Sequence, residues 1–490
     1  MRQLSDYPDA GLRIFERPHL PDPGAIHSVH LIGICGTGMG SLAGLFKETG
    51  FSVTGSDAAA YPPMNEHLAA LGIPIIEGYR RENLSPPPDL VIVGNACTPT
   101  HIEASFARDH HLVQASFPEA LSRYFIQDRH SIVVAGTHGK TTTTSMLAHV
   151  FHSASLDPGF LIGGIMNDGG KSFHVGSDAF FLVEGDEYDS SYFDKRPKFL
   201  HYQPQSAVVT SVEFDHADIY GNQEEYKEAF REFVSLIPAD GILALNADDP
   251  ATVELAETAT SRIVYYGQNG AELTARNVTT SSTGQAFDLF ENGQSLGTIE
   301  LSMSGRHNLQ NALAVAAIAL DADIPLPAIQ DGLKSFSGVQ RRQQILGEEK
   351  GVIVIDDFAH HPTAVGATIQ SVHERFPEHR IVAIFEPRSN SSRRKVFENG
   401  YAEALSLADA AFVCSPPFRH NDDASDFMSI EAVLEKLERA GVHGHSAENA
   451  DSLLDPLLEF LQAGDVALVM SNGGFGNIHR RILQSLEENA

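Results

Sequence analysis

"SIVVAGTHGKTTTTSMLAHVF", residues 131–151, runs from an apolar segment through a glycine turn into a stretch with helical spacing. A short apolar run closed by a turn reads as a buried strand, and the residues after the turn read as a helix. Between them stand Gly136, Thr137, His138, Gly139, Lys140 and Thr141. Glycines let backbone N–H groups approach phosphate oxygens, and a helix N-terminus adds partial positive charge. Lys140 would pair with the β- and γ-phosphates of a nucleotide, and the Thr141 hydroxyl would ligate Mg²⁺. The common phosphate loop, G-x-x-x-x-G-K-[ST], has a further glycine where this chain has Val134. A turn that only caps a helix is the plainer alternative. The order strand, loop, Lys-Thr, helix favours nucleotide binding.

Two acidic segments follow. "FFLVEGDEYDSSYFD" carries Glu184, Asp186, Glu187 and Asp189, and "SVEFDHADIY" carries Glu213, Asp215, His216 and Asp218. Each is read as the end of a strand. Carboxylates there face the crevice where α/β proteins bind ligands, and hard oxygen donors suit Mg²⁺.

Further out, strands alternate with helices, which predicts α/β domains built on parallel sheets. "SVHLIGI", "FSVTGSD", "LVIVGNA" and "LVQAS" are strands of a first unit ending near Phe125. "SAVVTSVEFD" and "GILALNADD" extend the second. From Ala271 to Met303, alternating residues with Asn-Gly and Thr-Gly turns predict a small antiparallel addition, and "RHNLQNALAVAAIAL" a helix. "GVIVIDDF", "RIVAIFEPR", "AAFVCS" and "DVALVMS" form a third unit beginning near Val339. The expected domains are 1–126, with an extension at 1–26 to which no role is assigned, then 127–338 and 339–490.

The first unit carries "HLIGICGTGMGSLAGL", with Gly33, Gly36, Gly38 and Gly40. A dinucleotide fingerprint, G-x-G-x-x-G, would start at Gly36 but meets Ser41 at its third position, which weakens a nicotinamide reading. Glycine amides at a helix N-terminus still suit a pyrophosphate, and Asp57 ends the second strand where a ribose-binding acid often stands.

Across 490 residues the formal net charge is −30, from 34 Lys and Arg against 64 Asp and Glu. Such a field repels nucleic acid and anionic membranes, yet leaves room for a small phosphorylated ligand held locally. The cysteines, Cys35, Cys97 and Cys414, form no disulfide or zinc pattern. With no signal-like segment near Met1 and no 18-residue apolar run, the expectation is a cytoplasmic protein with small-molecule substrates and no nucleic-acid or membrane partner; the oligomeric state stays open, with a monomer favoured.

Six motifs occur in one order: "GTHGKTTTT", "EGDEYDSSYF", "EFDHADIY", "GRHNLQNALA", "SGVQRR" and "DDFAHHPTA". In this the chain resembles the Mur ligases, above all the branch acting on UDP-N-acetylmuramate. The resemblance implies a Rossmann-like UDP-sugar domain, a central ATP domain with a parallel sheet plus a small antiparallel one, and a third Rossmann-like domain for the amine substrate. It places ATP on Gly136, Thr137, His138, Gly139, Lys140, Thr141 and Thr142. Asn308 and Asn311 match adenine contacts, Asp357 a ribose-side acid, and Arg342, or its neighbour Arg341, a phosphate-directed arginine. Thr141, Glu184 and His216 match Mg²⁺ ligands. His360 and His361 match paired histidines whose role, catalytic or structural, stays open. Gly33, Gly36, Thr37, Gly38, Met39 and Asp57 would hold the UDP-sugar. The carbamylated lysine of many members has no counterpart, since Lys195 and Lys198 lie near its place without aligning.

The implied reaction joins UDP-N-acetylmuramate to an amine through an acyl phosphate, with ATP as cosubstrate and Mg²⁺ as cofactor. The residues taken as catalytic are Lys140, Glu184, His216, Arg342 and His360, with Asp186, Glu187 and His360 as candidate bases. "EYDSSYFDKRPKFLHYQP" and "FEPRSNSSRRKVF" resemble the branch that takes L-Ala-γ-D-Glu-meso-diaminopimelate; free L-alanine is the alternative. Arg388, Ser389 and Asn390 would meet a peptide rich in carboxylates. Arg393, Arg394 and Lys395 read as basic surface.

Overall fold

A computed structural model describes residues 17–60, 64–167, 169–216, 219–417 and 426–488. The extension up to residue 16 and Asp218 lie outside the described residues. The described residues form three sheets. The first is parallel, ordered Ile75–Glu77, Ser52–Asp57, Ser28–Ile32, Leu90–Val93, Gln114–Ser116.

The second has ten strands. Its parallel centre runs Arg262–Tyr266, Ile242–Asn246, Ser206–Val209, His130–Ala135, Phe180–Gly185, Gly159–Leu161. Gln294–Leu301, Gly284–Glu291 and Leu273–Ser281 make the expected antiparallel addition at one edge, and Phe173–His174 pairs antiparallel at the other. In the third sheet Gln344–Glu349 runs antiparallel to Val352–Asp357, and Asp465–Met470, Arg380–Phe385, Ala410–Cys414 and His443–Ala447 continue in parallel. Central strands such as His130–Ala135 and Asp465–Met470 are buried on both faces over residues 132–135 and 466–470, which is why they read as unbroken apolar runs.

Several strands have no such run. Ile75–Glu77, Gln344–Glu349 and His443–Ala447 are short or half-exposed edges. "SAVVTSVEFD" is a strand only to Val209; from Thr210 the chain leaves the sheet and carries its acids over the phosphate loop. The helix that follows the first glycine turn is Thr37–Glu48. Its glycines serve close packing. A Cβ on Gly44 would stand 2.0 Å from the Phe173 ring of the second sheet, and Ser41 Oγ lies 2.8 Å from Ser172 Oγ. The serine that breaks the dinucleotide pattern is therefore a seam between two domains.

Candidate active site

The strand His130–Ala135 ends in Gly136, which has φ +132° and lies so close to Thr210 that a Cβ would sit 2.1 Å from its hydroxyl. Gly139, at φ +82°, starts the helix Lys140–Ser153, and a Cβ there would stand 2.6 Å from Asn311 Oδ1. A left-handed, close-packed position of this kind suits glycine. No side chain caps this helix, so its first N–H groups, which lack intrahelical partners, are available to an anion. Val134 lies inside the strand, paired with Val208 and Glu184. The loop is shorter than the common form because its first glycine position is still sheet.

Lys140 Nζ donates to Gly136 O at 2.6 Å and to Glu187 Oε2 at 2.8 Å. Burial opposes the Lys140 charge, but Glu187, Asp186 and Glu184 together push its pKa up. Burial likewise opposes the Glu187 charge, and Lys140 with His216 outweighs it, holding the carboxyl down at about 2. His216 Nε2 is 3.3 Å from Glu187 Oε1. Burial disfavours its cation, yet the Glu187 bond raises its pKa to about 9. Tyr226 also donates to Glu187 at 3.2 Å, and the Tyr220 hydroxyl donates to its carbonyl.

Glu184 has a different environment. It accepts from the Thr141 hydroxyl at 2.9 Å and from Gly163 N–H. Burial, and then the negative charge of Asp186, raise its pKa. A buried carboxylate and a hydroxyl converging on one point are hard oxygen donors of the kind Mg²⁺ takes, so Thr141 and Glu184 fit that ion. His216 fits less directly, because as Glu187's cationic partner it must lose a proton before it can ligate a metal.

The third domain closes the site. Arg342 Nη2 approaches Thr141 Oγ1 at 3.5 Å, with its guanidinium 4.9 Å from the Phe358 ring centroid. Arg341 instead binds Asp356, Ser471 O and Gly473 O, holding its own domain together. Asp357 accepts from the N–H groups of Gln343 and Ala359, both at 2.7 Å. Glu213 joins the domains: it meets His138 Nε2 at 2.8 Å and the Thr363 hydroxyl at 2.6 Å, with His361 Nδ1 at 3.6 Å. His360 and His361 are both lowered to about 4 by burial, which makes them neutral near pH 7. The His360 ring bonds Phe358 O at 3.0 Å.

Around these groups lies a cavity of about 1660 Å³ lined by all three domains. Gly36, Thr37 and Gly38 reach it from the first; Gly33, Met39 and Asp57 do not line it. Asp57 accepts from Cys35 N–H at 2.8 Å and from Tyr79, and so fastens the glycine turn. Thr137 through Thr142, Asn308 and Asn311 line the cavity's centre. Asn308 donates to Ser304 O, and Asn311 lies beneath Gly139. Arg388 reaches the cavity wall, whereas Ser389 and Asn390 turn back on their own loop, accepting from Ser392 N–H and from Arg393. Arg393, read as surface, is 2% exposed and donates to Pro417 O; the loop folds around it.

Some cavity residues receive no site role from the sequence. Lys198, His307 and the turn Asn472–Gly474 all line it. The turn lies in "SNGGFGN", whose glycines after a strand are a usable signal. Lys198 and His307 lie inside segments that carry the resemblance, "EYDSSYFDKRPKFLHYQP" and "GRHNLQNALA", but those segments give neither a place in the cavity.

Three family descriptions match in tandem: "Mur ligase family, catalytic domain" at residues 28–129, "Mur ligase middle domain" at 134–319 and "Mur ligase, glutamate ligase domain" at 341–473. The chain is 36% identical over 470 residues to the UDP-N-acetylmuramate–L-alanyl-γ-D-glutamyl-meso-2,6-diaminoheptandioate ligase of Escherichia coli (strain K12), covering 94% of this chain and 99% of the relative. The crystal structure of a murein peptide ligase from Psychrobacter arcticus superposes with a TM-score of 0.73 at 34% identity, covering 94% and 98%. A UDP-N-acetylmuramate–alanine ligase from Thermotoga maritima gives 0.77 at 26% identity, covering 94% and 100%. Among the described residues no helix is long and apolar enough to cross a membrane.

Proposed function

Because the chain belongs to the Mur ligase family and is an ATP-dependent ligase, we propose that it joins the lactyl carboxylate of UDP-N-acetylmuramate to the alanine amine of L-Ala-γ-D-Glu-meso-diaminopimelate. The setting proposed is the cytoplasm, with the tripeptide reclaimed from cell-wall turnover and the enzyme acting as a monomer. One observation carries the reading: the Lys140 loop, the glycine turn at Gly36–Gly38 and Arg388 open on one cavity.

A carboxylate does not condense with an amine directly, since oxide is not a leaving group. In the proposed route a carboxylate oxygen attacks the γ-phosphorus of ATP, and ADP leaves. The amine nitrogen then attacks the carbonyl carbon of the acyl phosphate; it loses one proton, and phosphate departs. Two anions must meet in the first step. Lys140, Arg342 and the helix N-terminus would bind the transferring phosphoryl group and spread its charge. Thr141 and Glu184 would hold Mg²⁺, which supplies further charge neutralisation at the phosphates.

Lys140 must first leave Glu187, which stays paired with His216. His360, which lines the cavity from the third domain, is the proposed acceptor of the amine proton; with its pKa lowered to about 4 by burial it would act as a weak base. Glu213, linking His138 to Thr363, would hold the third domain over the phosphate loop and keep water from the acyl phosphate. Arg388, half exposed at the cavity, offers a partner for a peptide carboxylate.

The test is phosphate release in the presence of ATP, Mg²⁺ and UDP-N-acetylmuramate, with tripeptide or free L-alanine as the amine. Turnover with tripeptide well above that with L-alanine is expected. A preference for L-alanine would move the chain to the alanine-adding branch.

A further inference from the structure

The cavity wall around the phosphate loop is acidic, with Glu184, Asp186, Glu187, Glu213 and Asp215 all lining it. A sugar acid that must approach ATP there needs a cation of its own. Lys140 and Arg342 face the phosphate loop. Arg306 is drawn to Asp248 and Arg341 to Asp356. Arg388 stands on the third domain's loop beside Glu386.

Lys198 stands apart from these. It belongs to the central domain, yet its ammonium lies 5.0 Å from the Phe117 ring centroid of the first domain. The same ring packs against Gly38, at 3.4 Å from where its Cβ would be, in the helix start proposed for the pyrophosphate. On its other side Lys198 Nζ is 3.2 Å from Asp186 Oδ2 and 4.1 Å from the Tyr188 ring centroid. Lys198 is only 8% exposed, and it lines the cavity.

An ammonium has three donors, and a nearly buried one facing a cavity is well placed to receive an anion. Two aromatic faces and one carboxylate steady the charge without enclosing it. We propose that Lys198 is a substrate-binding residue that receives the lactyl carboxylate of the sugar nucleotide and aims it at the γ-phosphate. It thereby distinguishes a sugar nucleotide bearing an acid from one without. This rests on the reading of the chain as a UDP-N-acetylmuramate ligase. The seat between the pyrophosphate turn and Asp186, which neighbours Glu184 and Lys140, is where a carboxylate tethered to one nucleotide would meet the phosphate of another.

The experiment compares two ligands that differ in that acid. Binding of UDP-N-acetylmuramate and UDP-N-acetylglucosamine is measured by calorimetry on the full chain, with a non-hydrolysable ATP analogue and Mg²⁺ present. The wild type should favour the muramate. Lys198→Met should weaken muramate binding by roughly 10- to 100-fold, the worth of a charge-assisted hydrogen bond, and leave the glucosamine affinity unchanged. Lys198→Arg should keep most of the preference. Retained discrimination in Lys198→Met would overturn the proposal, as would equal loss of both ligands, which marks a structural role. If the wild type binds neither ligand, the ligase reading itself fails; if it binds both equally, only the role of Lys198 fails.

Discussion

Removing Lys140 separates chemistry from folding, because its partner is a second buried charge. In Lys140→Ala the phosphoryl group loses a charged donor aimed at it. Loss of one preorganised donor costs about 10²- to 10³-fold in kcat, and a full charge at the transferring group should place the loss at or beyond that upper figure. Folding suffers for another reason. Glu187 is 1% exposed and, among the described residues, its side chain keeps His216 at 3.3 Å and Tyr226 at 3.2 Å. Breaking a buried pair costs about 3–5 kcal/mol when the survivor is left alone. With one cation remaining, about 2–3 kcal/mol is expected, a fall of roughly 5–10 °C in Tm for a domain of about 200 residues.

The double variant Lys140→Ala/Glu187→Gln removes the stranded charge. It should regain most of the lost Tm and none of the lost turnover. The assays are phosphate release and calorimetric unfolding, with UDP-sugar binding as a control that should be largely retained. Near-wild-type turnover in Lys140→Ala would remove the phosphate-loop assignment. Recovery of turnover in the double variant would show that Lys140 acts only by neutralising Glu187.

Gly139→Ala must adopt φ +82° with its Cβ 2.6 Å from Asn311 Oδ1; strain of about 1–3 kcal/mol should weaken ADP binding roughly 10-fold or more by calorimetry, and unchanged affinity would count against this loop as the nucleotide site. The His216 pKa is raised from 6.5 to about 9 in the folded chain, so its pairing with Glu187 stabilises fully below about pH 6.5 and is lost as pH climbs through about 9. Melting curves should therefore drop over pH 7–9.5, and Glu187→Gln should flatten that drop; parallel curves would refute the pairing. Gly44→Ala places a methyl 2.0 Å from the Phe173 ring, and overpacking of about 1–3 kcal/mol should lower Tm and separate the first domain's unfolding from that of the second; an unchanged thermogram would count against this docking.

Local chemistry was legible wherever neighbours in sequence are neighbours in space. An apolar run, two glycines and Lys-Thr define a strand, a turn and a helix start within about ten residues, because hydrogen-bond pattern and backbone sterics act over that range. Alternation of strand and helix likewise announced the parallel sheets, and Asn-Gly turns announced the antiparallel edge. Edge strands such as Gln344–Glu349 were illegible, since half-exposed strands need no apolar run and borrow their order from a neighbour. Tertiary structure alone paired Glu187 with Lys140 and His216, turned Arg341 inward and Arg342 toward Thr141, and buried Arg393 inside a loop that reads as basic surface. It also brought Lys198 against Phe117, 81 positions away. Such relations depend on distances between segments, where Coulomb energy and burial decide partners, and those distances exist only after the chain has closed on itself.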